Sequence, residues 1–160
     1  MWWLKKISTC LLLLTLAACS SVSTDGIGLQ DSSFDPRLGQ ISVETQTGRT
    51  EQLYRQRLEH LLARSGNAET LYHLKAMISV SYPTDAVDMT ARITVYNQKE
   101  GREVMNFSIM TSASIGAVTS LFGSEEAKAN ARERLAASLA EKTYQRLFLF
   151  FDANDGSNGS

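Results

Sequence analysis

The spacing of hydrophobic and polar residues changes several times along this chain, and each change marks an element. Between Gly39 and Thr45, Ile41 and Val43 alternate with polar neighbours, which predicts a short strand closed by a turn at Gly48. From Thr50 to Arg64 the apolar positions are Leu53, Tyr54, Leu58, Leu61 and Leu62, one side of a helix, with Gly66 placed to stop it in a left-handed cap. The period then returns to two. Tyr72, Leu74, Ala76, Ile78, Val80 and Tyr82 share one face of a long strand, and His73, Lys75, Ser79 and Ser81 share the other. After a turn at Pro83-Thr84-Asp85, the next strand points Val87, Met89, Ala91, Ile93 and Val95 one way and Asp88, Thr90, Arg92, Thr94 and Tyr96 the other. Asn97 to Gly101 makes a second hairpin turn, and the last strand carries Met105, Phe107 and Ile109 inward against Asn106, Ser108 and Met110.

Residues 112–123, SASIGAVTSLFG, read as an apolar loop, and Ser124-Glu125-Glu126 as the cap and acidic first turn of a long helix. Ala131, Leu135, Ala136, Leu139, Ala140, Thr143, Leu147 and Phe151 form its buried stripe, with enough alanine to let a helix lie close on a sheet. Strand, helix, three antiparallel strands, helix gives an α+β fold. The predicted architecture is a two-layer sandwich, a mostly antiparallel four-stranded sheet with both helices on one face, because each strand has only one apolar side to cover.

The termini lie outside this pattern. Met1-Trp2-Trp3-Leu4-Lys5-Lys6 is a short positive leader, Ile7 to Leu16 is an apolar run too short to span a bilayer comfortably, and Leu16-Ala17-Ala18-Cys19 ends it in small residues. Residues 1–18 therefore read as a signal peptide, and Leu-Ala-Ala-Cys closely resembles a bacterial lipobox, in which the cysteine becomes the lipidated first residue. A diacylglycerol and an N-acyl chain on Cys19 would supply several acyl chains, each buried CH₂ worth about 0.8 kcal/mol, which makes attachment permanent where one chain would bind only marginally. Ser20 in place of Asp resembles the signal for forwarding to the outer membrane. Residues 19–35 read as a lipidated flexible tether, 36–151 as the folded domain and 152–160 as a disordered polar tail.

Composition narrows the chemistry. Of 16 basic residues, Lys5 and Lys6 leave with the leader, so 14 face 17 acidic ones. Nothing in that balance suggests nucleic acid, which demands a basic face. Cys10 leaves as well and Cys19 is consumed by lipid, so disulfides, cysteine nucleophiles and thiolate metal sites are excluded by counting.

No catalytic motif replaces them. Gly26-Ile27-Gly28 lacks the third glycine and preceding strand of a dinucleotide loop, and neither Gly-x-Ser-x-Gly nor a Walker-type stretch occurs. His60 has no partner at helical spacing and reads as packing or solvation; His73 on the polar strand face can pair with a nearby carboxylate. The expectation is a protein that is not an enzyme and holds no metal or dissociable cofactor.

Binding surface is the alternative. The outward sheet face offers Ser79, Ser81, Thr90, Thr94, Asn106 and Ser108 with Lys75 and Arg92 among them, suited equally to hydration or to docking in a polar cavity. Ile115, Val118, Leu121 and Phe122, with no charge between them, read as local packing or partner contact, and Phe148-Leu149-Phe150-Phe151 is apolar around most of a helix, with Phe151 assigned to the core.

The order of lipobox, strand, helix and hairpins, and above all the closing segment NARERLAASLAEKTYQRLFLFF, resembles the LPS-assembly lipoprotein family LptE, in its alphaproteobacterial branch, over roughly Gln40 to Phe151. DMTARITVYNQKEGREVM is similar to the family's strand, Asp/Asn-x-x-Gly turn and strand, and Ala131-Arg132-Glu133-Arg134 with Ala136 and Leu139-Ala140 follows its closing helix. The resemblance implies an outer-membrane lipoprotein on the periplasmic face that plugs the LptD barrel, assists its assembly and helps deliver lipopolysaccharide to the surface.

On that reading Thr90, Thr94, Ser108 and Phe122 are candidates for docking in the barrel, and Lys75, Arg92, Lys99 and Arg102 for meeting lipopolysaccharide phosphates. One departure stands out: the family's basic contacts near the strand ends and before the last helix are missing, since the Pro83 turn and the Ile115 loop hold no Lys or Arg. The competing expectation is a lipoprotein cofactor that binds and activates a cell-wall synthase or an envelope transport system through the same tether.

Overall fold

In the computed structural model of the chain, residues 35–66, 68–116 and 120–155 are described. The leader, Cys19, most of its tether, residues 117–119 of the apolar loop and the last five residues of the tail lie outside the described residues. A 3-10 turn at Leu38–Gln40 leads into β1 (Ile41–Thr45), α1 (Arg49–Leu62), β2 (Tyr72–Ser81), β3 (Ala86–Asn97), β4 (Arg102–Ser114) and α2 (Leu121–Asp155). The sheet order is β1-β2-β3-β4, with β1 parallel to β2 and the other pairs antiparallel. This is the two-layer α+β sandwich that the alternation and helical stripes dictate.

Every residue predicted to point inward on β3 is buried, Val87, Met89, Ala91, Ile93 and Val95 among them, as are Leu74, Ala76 and Ile78 on β2. Each of the valine, leucine, isoleucine and methionine side chains contributes about 1.5–3 kcal/mol by leaving water, and the alanines less. Over them lie α1 through Tyr54, Leu58, Leu61 and Leu62, and α2 through the whole predicted stripe from Ala131 to Phe151. Both helices run the same way: Arg49 pairs with Glu133 at 2.9 Å and Arg57 with Glu141 at 2.5 Å, so the contacts advance together along both. Inside that seam Tyr54 donates to Thr143 Oγ1 at 3.0 Å, and Thr143 donates to the Leu139 carbonyl at 2.8 Å. Burial raises the Tyr54 phenol above its ordinary range, although the bond to Thr143 works the other way.

Where the domain begins, the chain is tied to its other end. The Arg37 guanidinium holds Asp35 at 2.7 Å, donates to the Phe151 carbonyl at 2.6 Å and lies over the Phe151 ring, which packs edge-on against Tyr72. A cation near the last carbonyls of α2 meets the negative end of that helix. Gly39 is required beside this corner, because a Cβ there would sit 2.3 Å from the Gly66 carbonyl oxygen.

Five boundaries differ from the sequence reading. α2 starts at Leu121, with Ser120 as its cap through a 3.1 Å bond from the Gly123 amide, so Ser124 is already helical. β4 runs on through Ser114, whose pairing with Ala86 absorbs the first residues of the expected loop. α1 ends in a 3-10 turn, and Gly66 has positive φ with extended ψ, not the left-handed helical cap expected. α2 also carries Asp152 to Asp155 of the tail as helix. Tyr82 falls just beyond β2 and is half exposed.

Candidate docking face

With both helices on one side, the other side of the sheet has no layer over it among the described residues. The ladder sets its side chains in rows. Lys75 on β2 lies opposite Thr94 on β3 and then Asn106 on β4; Met77 opposite Arg92 and Ser108; Ser79 opposite Thr90 and Met110; Ser81 opposite Asp88 and Ser112. Three predicted docking residues, Thr90, Thr94 and Ser108, therefore share this face, as do two of the predicted cations, Lys75 and Arg92, on neighbouring strands and adjacent rows.

The remaining predicted site residues do not join them. Lys99 lies in the β3–β4 turn and Arg102 opens β4, at the end of the sheet, where Gly101 takes φ +62° and Arg102 pairs with Glu100. Phe122 lies in the first turn of α2, in the helical layer, and is 92% exposed beside exposed Leu121. Neither residue packs locally. Ile115 does, against the edge of the core, and Phe148 and Phe150 are partly buried there while Leu149 is exposed. Cys19 lies outside the described residues.

Local bonds arrange the polar surface. Asn106 donates to Thr94 Oγ1 at 3.4 Å, Ser108 to the Ala91 carbonyl at 3.3 Å, and Ser112 to Asp88 at 2.5 Å. Near the centre, Gln46, Met77, Ser79, Thr90, Arg92 and Ser108 line a depression of about 240 Å³. Gln46 shapes it because β1 has ended one residue earlier, and its amide oxygen accepts from the Ile78 amide that β1 leaves unpaired. Sequence reasoning missed Gln46 and Met77, although the period of two already put Met77 on the outward side with Lys75 and Ser79. Met77 and Met110, 49% and 61% exposed, give this face a soft, adaptable apolar component between the hydroxyls.

At the margin of the face His73 finds the carboxylate partner that its position allowed. Its Nε2 lies 2.7 Å from Glu44 Oε2 and its Nδ1 3.1 Å from Ser42 Oγ, so β1 and β2 are clipped by a Ser–His–Glu chain. The residue types match a nucleophilic triad, but the surroundings do not. Ser42 Oγ donates to the Tyr72 carbonyl at 3.3 Å, and a carbonyl beside the nucleophile repels the oxyanion that acyl transfer must stabilise. His60 is exposed on α1, away from this clip, beside a groove with Leu53, Arg57 and Glu133. Among the described residues no three His, Cys, Asp or Glu side chains gather to hold a metal ion.

The fold and this geometry define a class: a two-layer α+β domain whose sheet carries both helices on one side and an open polar surface on the other. The chain matches no protein-family model and no curated protein sequence. Solved structures share the fold. An inferred lipoprotein of Caulobacter crescentus CB15 is 21% identical with a TM-score of 0.58, over 74% of this chain and 94% of its own. A minor lipoprotein of Acinetobacter baumannii is 11% identical with a TM-score of 0.51, over 68% and 91%. A Xanthomonas campestris protein described by the DUF330 family is 10% identical with a TM-score of 0.50, over 73% and 85%. At these identities the likeness establishes the shared fold.

Proposed function

We propose that this protein is an outer-membrane lipoprotein, anchored through Cys19 on the periplasmic side, that plugs the LptD barrel, assists its assembly and helps deliver lipopolysaccharide to the surface. The observation that carries this reading is the bare polar sheet face: a surface of short hydroxyls, an amide and two cations can hydrogen-bond the polar lining of a barrel at little conformational cost. The lipobox-like ending at Cys19 and the names of two proteins that share the fold, both lipoproteins, support the anchor.

The protein works by fit, with no reaction centre and no dissociable cofactor. Thr90, Thr94 and Ser108 meet the barrel wall, and Lys75 and Arg92 supply charge-assisted contacts to lipopolysaccharide phosphates. Lys99 is available at the β3–β4 turn; Arg102 contributes less, being paired with Glu100. Copurification tests the proposal. LptD is expected to come down with the protein from detergent-solubilised outer membrane, and recovery of only a peptidoglycan synthase or an inner-membrane transporter would replace the plug by the cofactor reading. Depleting the protein should lower surface lipopolysaccharide.

A further inference from the structure

The bond that fixes Gln46 also decides which end of its amide is left over. A backbone N–H can meet only the carbonyl end of a side-chain amide, so the 3.3 Å bond from the Ile78 N–H to Gln46 Oε1 leaves the NH2 end as a donor, on a residue that lines the central depression. Arg92, across β2 on β3, lines the same depression and has no ion pair among the described residues. Ser79 and Ser108 donate to backbone carbonyls at 3.5 and 3.3 Å, long bonds that a charged oxygen outcompetes. No carboxylate lines the depression, and its donors come from four successive segments: the residue after β1, then β2, β3 and β4.

That distribution discriminates between anions. A carboxylate presents two oxygens in one plane and is satisfied by a guanidinium fork alone, which leaves the Gln46 amide unused. A phosphate monoester presents three terminal oxygens in three directions and about two negative charges, so it can engage donors on both sides of β2 at once. A diester has given up one of those oxygens. Met77, half exposed within the lining, and Met110, opposite Thr90 in the next row, offer apolar contact to whatever carries the phosphate.

We propose that Gln46 and Arg92 together bind one phosphate monoester carried by a lipid, with Gln46 distinguishing it from a carboxylate or a diester. This rests on the reading of the protein as a plug that helps deliver lipopolysaccharide, and it narrows the group that is gripped. The Pro83 turn and the Ile115 loop hold no Lys or Arg, so the grip falls in the middle of the sheet.

The test titrates the full lipidated chain in detergent while NMR follows the Gln46 side-chain amide and the Arg92 Nε–H. The probes are dioleoylphosphatidic acid, a monoester; dioleoylphosphatidylglycerol, a diester; oleate, a carboxylate; and inorganic phosphate. Phosphatidic acid should shift both signals to saturation, and at equal total concentration each other probe should bind at least about tenfold more weakly. In Gln46→Glu one oxygen still accepts from Ile78 while the other puts negative charge where the NH2 stood. It should keep the thermal melt and weaken phosphatidic acid by at least about tenfold. Arg92→Gln, at an exposed position that leaves the Ile78 bond alone, should do the same, and Lys142→Gln on the helical side should change nothing. Folded Gln46→Glu or Arg92→Gln chains that bind as the wild type does overturn the proposal. So does a wild type that takes the diester, oleate or inorganic phosphate as tightly as phosphatidic acid. Failure here leaves LptD in the copurification described above, whereas absence of LptD from that copurification removes the plug whether or not phosphate binds.

Discussion

The buried bond between Tyr54 and Thr143 offers the sharpest check on how the two helices are held. Both residues are fully buried, so each polar atom must find its partner inside the protein. Tyr54→Phe removes the donor and leaves Thr143 still bonded to the Leu139 carbonyl, a loss of about 1 kcal/mol. Thr143→Val keeps the volume but strands the Tyr54 hydroxyl in apolar surroundings, which costs about 2 kcal/mol. At about 4 °C per kcal/mol for a domain of this size, the melts should fall by about 4 and 8 °C respectively. Because Tyr54→Phe also removes the stranded hydroxyl, the double variant should be no less stable than Thr143→Val alone.

Alkali supplies an independent arm of the same test. The phenol's folded pKa lies above its ordinary 10.0, so the unfolded chain gives up that proton first as pH rises. Stability contributed by the neutral phenol is whole below pH 10 and is lost above it, at about 1.4 kcal/mol per pH unit, in the wild type but not in Tyr54→Phe. Circular dichroism melts from pH 7 to 11.5 read both arms. Additive single costs, a Tyr54→Phe variant less stable than Thr143→Val, or parallel alkaline limbs would refute the reasoning.

The remaining expectations are briefer. Replacing Thr90 or Thr94 by Glu should lower the level of mature barrel while shifting the isolated melt by less than about 1 kcal/mol, since both lie on the uncovered side; unchanged barrel levels on immunoblots would remove the docking face. Arg37→Ala should destabilise the fold by about 1–2 kcal/mol in urea titrations at pH 7. Burial alone would raise the Asp35 carboxyl, but Arg37's hydrogen bonds and charge bring it below its ordinary 3.8, so the Asp35 contribution is present above pH 3.8 and fades as pH falls through the folded value. The gap between wild type and Arg37→Ala should therefore narrow in acid, and a gap that widens would contradict this account. Cys19→Ala should move the protein from the membrane pellet to the periplasmic fraction, and retention in the pellet would contradict the lipid assignment.

The parts of the fold legible in the sequence are those governed by period alone. The stripe from Ala131 to Phe151 and the alternation from Val87 to Val95 each need one buried side, and nothing nearby competes with that pattern. The start of α2 was hidden because SLFGSEE offers two serine caps. Gly123 and exposed Leu121 and Phe122 argue for a loop locally, yet the Ser120 hydroxyl already holds the Gly123 amide. The end of β4 was hidden for a different reason: Ser112 to Ser114 reads as a loop by composition and becomes strand through Asp88 and Ala86, two dozen or more residues earlier. The same distance conceals the site's margin. His73 shows a polar position, but only the parallel register of β1 on β2, set after an intervening helix, reveals that Ser42 and Glu44 are its neighbours.

The pattern of charge on the open face bears on the proposed docking role. At its margins the charged groups are occupied locally: Glu44 with His73, Asp88 with Ser112, Glu100 with Arg102. In the middle, Arg92 has no ion pair among the described residues, and the side chains beside it are hydroxyls, an amide and the Met77 thioether, whereas Lys75 lies opposite Glu44 in the β1–β2 register. A face selected only for water has no reason to keep its unpaired charge central, because every position on it is equally hydrated. A face that closes on a partner does, because an arginine at the centre of an interface is the contact most shielded from competing water and salt. The surrounding hydroxyls then let water leave without stranding a carbonyl or a carboxylate. What fits this face would bring acceptors to its middle and polar, uncharged groups to its rim, which is the complement expected of a polar lumen presenting a few acidic or phosphate oxygens.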